Sequence, residues 1–315
     1  MIEHFIKEVD EGLSIYPKRI SSKFLYDSRG GELFQQIMEL PEYYLTRAEE
    51  EIFKYRSHEI IDQLGLLSQV NIYELGAGDG TKTSIFLKAL RSRGIMVNYI
   101  PIDVSKNVLE QLENHINVEV KGVKVKPLQY TYFQALDKLE IEDETPNIFL
   151  FMGSNLGNLD HATAIKFLSG ISENMRSQDH FLLGLDKMKE PEKVLAAYND
   201  QAGVTKEFNL NLLERMNREL GANFEMDNFI HQPIYNPETG LASSYLVSTV
   251  EQDVFIEATG KTYHFDAWES LHTEISQKYN MQTIEWLCES SSLRIKNVYQ
   301  DNEEQFLECL LEKKD

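Results

Sequence analysis

The stretch from Asn71 to Thr83, written NIYELGAGDGTKT, constrains this chain more than any other. A short β-branched and aromatic run, Asn71-Ile72-Tyr73, closes with Glu74 and Leu75, and glycines follow at the alternate positions Gly76, Gly78 and Gly80. Glycine has no Cβ, so the backbone can turn tightly there and a bound nucleoside can come close to it. The order strand, glycine turn, helix predicts a cofactor loop in an α/β fold, although a glycine-rich turn without a ligand would read the same way.

The spacing excludes two common phosphate loops. A dinucleotide fingerprint would place its third glycine at position 81, which is Thr81, and a Walker loop needs a glycine directly before Lys82. Acid-x-Gly-x-Gly-x-Gly after a first strand instead resembles the motif of Rossmann-like methyltransferases that use S-adenosylmethionine. The next strand, Met96 to Ile102, ends at Asp103, and Val104-Ser105 opens a helix carrying Val108, Leu109 and Leu112 at helical spacing. An acid at that strand tip can accept both hydroxyls of a ribose. Asp103 can equally be a helix N-cap, a role that Ser105 could take instead.

Further along, Gly122-Val123-Lys124-Val125, Asn147 to Met152 and Phe181 to Asp186 read as strands, alternating with helices over Phe133 to Leu139 and Ala162 to Met175. Such alternation predicts a parallel sheet with helices on both faces and ligands beyond the carboxyl ends of its strands. The loop after the Asn147 strand, Gly153-Ser154-Asn155-Leu156-Gly157-Asn158, therefore emerges where substrate and cofactor should meet. The Asn158 amide can both donate and accept there, or serve as a turn residue or as a cap for the helix at Asp160.

Two segments exceed a minimal α/β core. Residues 1 to about 55 carry YDSRGGELF and LPEYYLTRAE. A second region, from near Pro191, holds an amphipathic helix with Leu212, Leu213, Met216 and Leu220 ended by Gly221, then a hairpin tip at Asn236-Pro237-Glu238-Thr239-Gly240 and a strand at Ser244 to Ser248. The expected division is residues 56–192 plus 280–315 for the Rossmann-like cofactor core, and 1–55 plus 193–279 for an added α+β substrate lobe.

Charge narrows the partners. With 51 acidic against 31 basic residues and a net charge of -20, the chain suits neither nucleic acid nor an anionic membrane surface. The sequence has no apolar run near the roughly 20 residues of a membrane span and no basic-then-apolar leader, so a cytoplasmic monomer acting on a small molecule is expected. Cys288 and Cys309, both read as lying in an apolar helical region, are expected to be buried free thiols. The eight histidines show no metal-ligand spacing, so no metal is expected.

In order along the chain, YDSRGGELF, LPEYYLTRAE, ELGAGDGTKT, FMGSNLGNL, AAYNDQAGVTKEFN and HTEISQKYN resemble the family of histidine-specific Nα-methyltransferases of ergothioneine biosynthesis. That resemblance implies a class I methyltransferase core with a substrate lobe, and S-adenosylmethionine as cofactor. It implies three methyl transfers to the α-amine of histidine, giving the betaine hercynine. Carried over by residue, Gly76, Gly78, Gly80, Lys82 and Asp103 would hold the cofactor, with Tyr132 and Phe133 at its adenine. Gly153 and Asn158 would face the substrate amine and carboxylate, Tyr44 and Tyr198 would bind the carboxylate, and Tyr26 would sit by the reacting nitrogen. Tyr26 and Asn158 are thus the candidate catalytic pair, while Glu274 and Ser276 would hydrogen-bond the imidazole.

Two positions depart from the family pattern. Ser244 stands where its histidine enzymes tend to place Met against the ring. Tyr132-Phe133 stands where Asp-Phe is common, so the adenine amino group needs another acceptor. Another amino acid or a tryptophan derivative as acceptor, or a catalytically silent binding module, are the alternatives that these features leave.

Overall fold

The structure is a computed structural model describing residues 2–65, 68–139 and 144–314. Two compact units emerge, Leu45–Met188 with Lys278–Asp315, and Met1–Tyr44 with Lys189–Gln277.

The first unit is an α/β core. Its main strands are β1 (Gln69–Leu75), β2 (Met96–Asp103), β3 (Val123–Val125), β4 (Asn147–Phe151), β5 (His180–Asp186), β6 (Leu293–Gln300) and β7 (Phe306–Lys313). Its helices are α1 (Leu45–Leu64), α2 (Thr81–Ser92), α3 (Lys106–Glu119), α4 (Tyr132–Lys138), α5 (His161–Asn174) and α6 (Met281–Ser290). The strands lie in the order β6-β7-β5-β4-β1-β2-β3, with Leu128–Gln129 pairing β2 off this path. Strands β1 to β5 are mutually parallel, and every residue of β4 and β5 is buried, as expected of a sheet covered on both faces.

The sheet is not wholly parallel, as the alternation had suggested. Strand β7 runs antiparallel to both β5 and β6. Cys309 consequently lies on a central strand rather than in the expected helical region, while Cys288 is helical, and both thiols are buried and free. A short, mostly apolar segment such as Phe306–Leu311, interrupted by Glu308, satisfies a buried strand and a buried helix equally well from sequence.

At the amino-terminal ends of the strands, polar side chains satisfy one another. Asn98 Nδ2 donates to Asn71 Oδ1 (2.8 Å), Asn71 Nδ2 to Asn147 Oδ1 (3.1 Å), and Asn147 Nδ2 to Asp179 Oδ2 (3.1 Å). Buried amides paired in this way tie three strands without an unsatisfied group. The opposite, carboxyl ends are where strand order reverses between β1 and β4, and a ligand crevice belongs there.

The break between units falls at 44/45 rather than at 55/56, because α1 is one unbroken 20-residue helix that packs on α2, β6 and β7. The other two breaks, 188/189 and 277/278, replace the expected 192/193 and 279/280.

The second unit carries a four-stranded sheet in the order Lys18–Arg19, Ser270–Gln277, Leu241–Ser248, Phe229–Asn236, and a hairpin of Gln252–Ile256 with Lys261–Phe265. The turn 236–240 joins two of these strands as the hairpin tip that its Asn-Pro and Gly residues predict. Helix Val204–Leu220 packs on this sheet, ends at Gly221 in the left-handed region (φ 64°), and bears helix Ser28–Glu39 on its flank. No helix among the described residues is long and apolar enough to cross a membrane.

Candidate active site

In the core unit, each loop glycine has its own reason. A Cβ at Gly76 would stand 2.8 Å from Tyr132 Oη and 3.2 Å from Asn155 Nδ2, so here the chain itself demands the missing side chain. A Cβ at Gly80 would press on Leu112 of α3 at 3.1 Å. Gly78 differs: its φ of 55° favours glycine, but a Cβ would meet nothing within 4 Å. Open space beside that backbone is room for a ligand.

Asp103 ends β2 next to this loop. Its carboxylate accepts from the Ser105 amide at 2.9 Å and also from the Gly78 and Val104 amides, while burial pushes its pKa up. The cap of α3 is Ser105, which accepts from the Val108 amide. With the cap role filled, Asp103 is pinned at the strand tip against the glycine loop, an acceptor in a position that fits a ribose diol. Asp103→Ala should weaken S-adenosylhomocysteine binding about 5- to 150-fold by calorimetry, the equivalent of about 1–3 kcal/mol for stranding buried hydroxyls.

Tyr132 opens α4, capped by Thr131, with its ring edge-on to Phe151 (5.0 Å) and Phe167 (5.9 Å). Burial and then the nearby Asp103 charge hold its hydroxyl protonated. Phe133 is also edge-on to Phe167, at 6.3 Å, with Lys166 Nζ over its ring.

Glu74, the acid of the glycine motif, lies beneath the loop. It is buried and accepts from Thr83 Oγ1 at 2.8 Å and from Tyr99 Oη, joining α2 and β2 to β1. Burial raises its pKa to about 7, against the pull of Tyr99, Thr83 and Lys82. A carboxyl raised in the fold keeps its proton where the unfolded chain has lost it, so its contribution to stability declines as pH rises between the two values. Glu74→Gln should therefore gain stability relative to wild type as pH climbs from 4.5 to about 7, reaching about 3 kcal/mol in urea titrations.

The β4 loop carries Gly153 and Asn158, and Gly153 is the one with contacts to these groups among the described residues. The Gly153 amide donates to Glu49 Oε1 at 2.6 Å, and Glu49 Oε2 accepts from Lys82 Nζ, which lies 3.7 Å from where a Gly153 Cβ would be. Lys82 thus spans the β1 and β4 loops. Asn158 ends the short 3-10 turn Asn155–Asn158, and Asp160 itself caps α5 by accepting from the Thr163 amide at 2.8 Å, which leaves Asn158 outside the cap. At the end of β5, buried Asp186 pairs with buried Lys278 at 2.8 Å, explaining the lysine of the HTEISQKYN motif, a role invisible in sequence.

The second unit holds the remaining candidates. Tyr26 is 41% exposed, its ring edge-on to Phe34 and Phe208, both at 5.3 Å. Its neighbour Asp27 caps helix Ser28–Glu39 through the Gly30 amide (2.7 Å), accepts from Asn211 Nδ2 (2.8 Å) and pairs with Arg218. Gly30 is required because a Cβ would run into Leu25 O. The YDSRGG motif is therefore a device that fastens Tyr26 to the long helix.

Tyr44 and Tyr198 are buried. Tyr44 Oη accepts from Lys189 Nζ at 2.8 Å, and Lys189 also lies 4.3 Å over the ring, adding a cation that the sequence reading missed. Register gathers the rest. Ser244 is the cross-strand partner of Glu274, and Ala242 that of Ser276, so all four side chains share one face of the sheet. A bulge between His272 and Glu274 brings this about: Thr273 is the extra residue, its hydroxyl donating to Asn209 Oδ1 (2.6 Å) and Ser244 O (3.0 Å). Ser244 is fully buried, and its Oγ has no partner among the described residues.

The profile of a family described as histidine-specific, S-adenosylmethionine-dependent methyltransferases matches residues 5–313. Histidine N-alpha-methyltransferase of Mycobacterium tuberculosis is 37% identical over 278 residues, covering 88% of this chain and 85% of the relative. The Mycolicibacterium smegmatis protein of the same name is 35% identical over the same shares. A solved S-adenosylmethionine-dependent methyltransferase from Clostridium acetobutylicum, 14% identical, shares the fold with a TM-score of 0.50 over 90% of this chain and 99% of that one.

Proposed function

The chain belongs to the family of histidine-specific, S-adenosylmethionine-dependent methyltransferases, and on that premise we propose that it trimethylates the α-amine of L-histidine to give hercynine. The observation that carries the substrate reading is the polar row Ser244, Glu274 and Ser276 on a sheet face that otherwise carries the apolar Leu246 and Leu271. A carboxylate beside hydroxyls supplies an acceptor and a donor for the two ring nitrogens of an imidazole. An indole or phenyl ring would gain nothing from burying that carboxylate.

S-adenosylmethionine, when bound, supplies an electrophilic methyl group on its sulfonium. Asp103 and the Gly76 to Gly80 loop with Lys82 are the groups that would hold it, Tyr132 and Phe133 lying at its adenine. Direct displacement asks the protein to aim the nitrogen lone pair and to free the amine of its proton. Tyr26 and Asn158 orient the amine in this reading, with water carrying the proton away. Gly153 leaves room for the amino-acid end, and Tyr44 and Tyr198 bind the carboxylate through neutral hydroxyls, with Lys189 adding charge.

A mass-spectrometric screen of the common amino acids with S-adenosylmethionine tests this. Histidine should gain three methyl groups at the highest kcat/KM. A clearly better tryptophan-type acceptor would reassign the substrate, and no thermal shift with S-adenosylhomocysteine would indicate a silent module.

A further inference from the structure

Gly184 stands in the middle of β5, in the run Phe181-Leu182-Leu183-Gly184-Leu185. A Cβ there would lie 2.5 Å from Glu49 Oε1 and 2.8 Å from Glu308 Oε1. The missing side chain thus makes a niche in the sheet interior that two carboxyl groups share. Glu49 reaches it from α1 and Glu308 from β7, and neither has any exposure. Both oxygens of Glu49 are engaged, Oε1 by the Gly153 amide and Oε2 by Lys82 Nζ. The oxygens of Glu308 meet no N–H or O–H donor among the described residues, and their one hydrogen-bonding neighbour is Glu49.

Two ionised carboxylates are both acceptors and cannot bond to each other, and like charges held this close in a dry interior exclude double ionisation. One of the pair must carry a proton. Glu49 already has two donors, so the proton belongs to Glu308. The other ionisable groups facing this point are Lys82 on α2 and Glu74 on β1; Cys309, next to Glu308 on β7, lies on the opposite face of the strand. Burial and then the Glu49 charge hold the Glu308 carboxyl well above the ordinary range.

We propose that Glu308 is a positioning residue of the cofactor site, a neutral acid that donates to Glu49 and thereby fixes the carboxylate tying Lys82 to the Gly153 amide. It touches no reacting atom. Its effect passes through Glu49 to the two loops that emerge from β1 and β4. The role rests on the assignment of S-adenosylmethionine to this core.

Glu308→Leu keeps the volume but removes the donor, whereas Glu308→Gln keeps an N–H for Glu49. Calorimetry should show Glu308→Leu binding S-adenosylhomocysteine at least about tenfold more weakly than wild type, with Glu308→Gln restoring most of the loss. The infrared difference spectrum of wild type against Glu308→Gln at neutral pH should contain a protonated-carboxyl C=O band, which reports the acid even where Glu308→Leu fails to fold. Wild-type affinity in Glu308→Leu, an equal loss in both variants, or the absence of that band would each overturn the proposal. Wild type that bound no S-adenosylhomocysteine would instead fail the cofactor assignment on which it rests.

Discussion

Gly78→Val should eliminate S-adenosylhomocysteine binding, measured by calorimetry, and leave the core folded. A β-branched residue at this φ of 55° fills the space beside the loop that is otherwise empty to 4 Å. The left-handed backbone also costs a residue with a Cβ about 1–2 kcal/mol, a loss in stability that a core of this size tolerates. Gly94→Val separates the two effects. Gly94 has a φ of 77° and open surroundings as well, but it lies in the turn between α2 and β2, away from the loop. It should show a similar loss in thermal stability and unaltered binding. Retained binding in Gly78→Val would end the assignment of this loop to the cofactor.

The parts of this protein that could be read in advance are those fixed by local chemistry. The strand, glycine and helix of residues 71–83 are punctuated by period and by glycine, and the hairpin tip 236–240 by Asn-Pro and Gly. Ser105 and Asp160 settle, through the donors they accept from, whether Asp103 and Asn158 are caps. What escaped was decided by partners far away in the chain. Glu49 reads as one charge among several in LTRAEEEI, and only its meeting with Lys82, Gly153 and Glu308 sets it apart. The Gly184 niche has the same character, since a glycine in a strand signals a close approach without saying what approaches.

The same limit governs the substrate side. Simple alternation puts Leu271 and Thr273 on one face and Glu274 on the other. The extra residue in the Ser270–Gln277 strand breaks that count and turns Glu274 and Ser276 to the face of Ser244. No pattern of residue types announced this bulge. Thr273 is what holds it, through its two hydrogen bonds to Asn209 and to the Ser244 carbonyl.

Glu274→Ala should raise the KM for histidine about 10- to 150-fold, because a hydrogen bond to a charged group contributes about 1.5–3 kcal/mol. The effect should fall on KM more than on kcat, since the imidazole is remote from the nitrogen that accepts the methyl group. Discrimination against phenylalanine and tryptophan should relax in the same variant, because the carboxylate that an apolar ring would have to cover is gone. Ser244 makes the comparison sharper: its unpartnered hydroxyl is Glu274's cross-strand neighbour, and a ligand nitrogen is the kind of group that would satisfy it. Ser244→Ala should therefore raise the histidine KM in the same direction by a smaller factor, with no gain for histidine from the lost hydroxyl. Steady-state kinetics on histidine, phenylalanine and tryptophan for both variants decide the matter. Histidine turnover unchanged by Glu274→Ala would remove this face of the sheet from the substrate site and, with it, the physical basis for choosing imidazole over another ring.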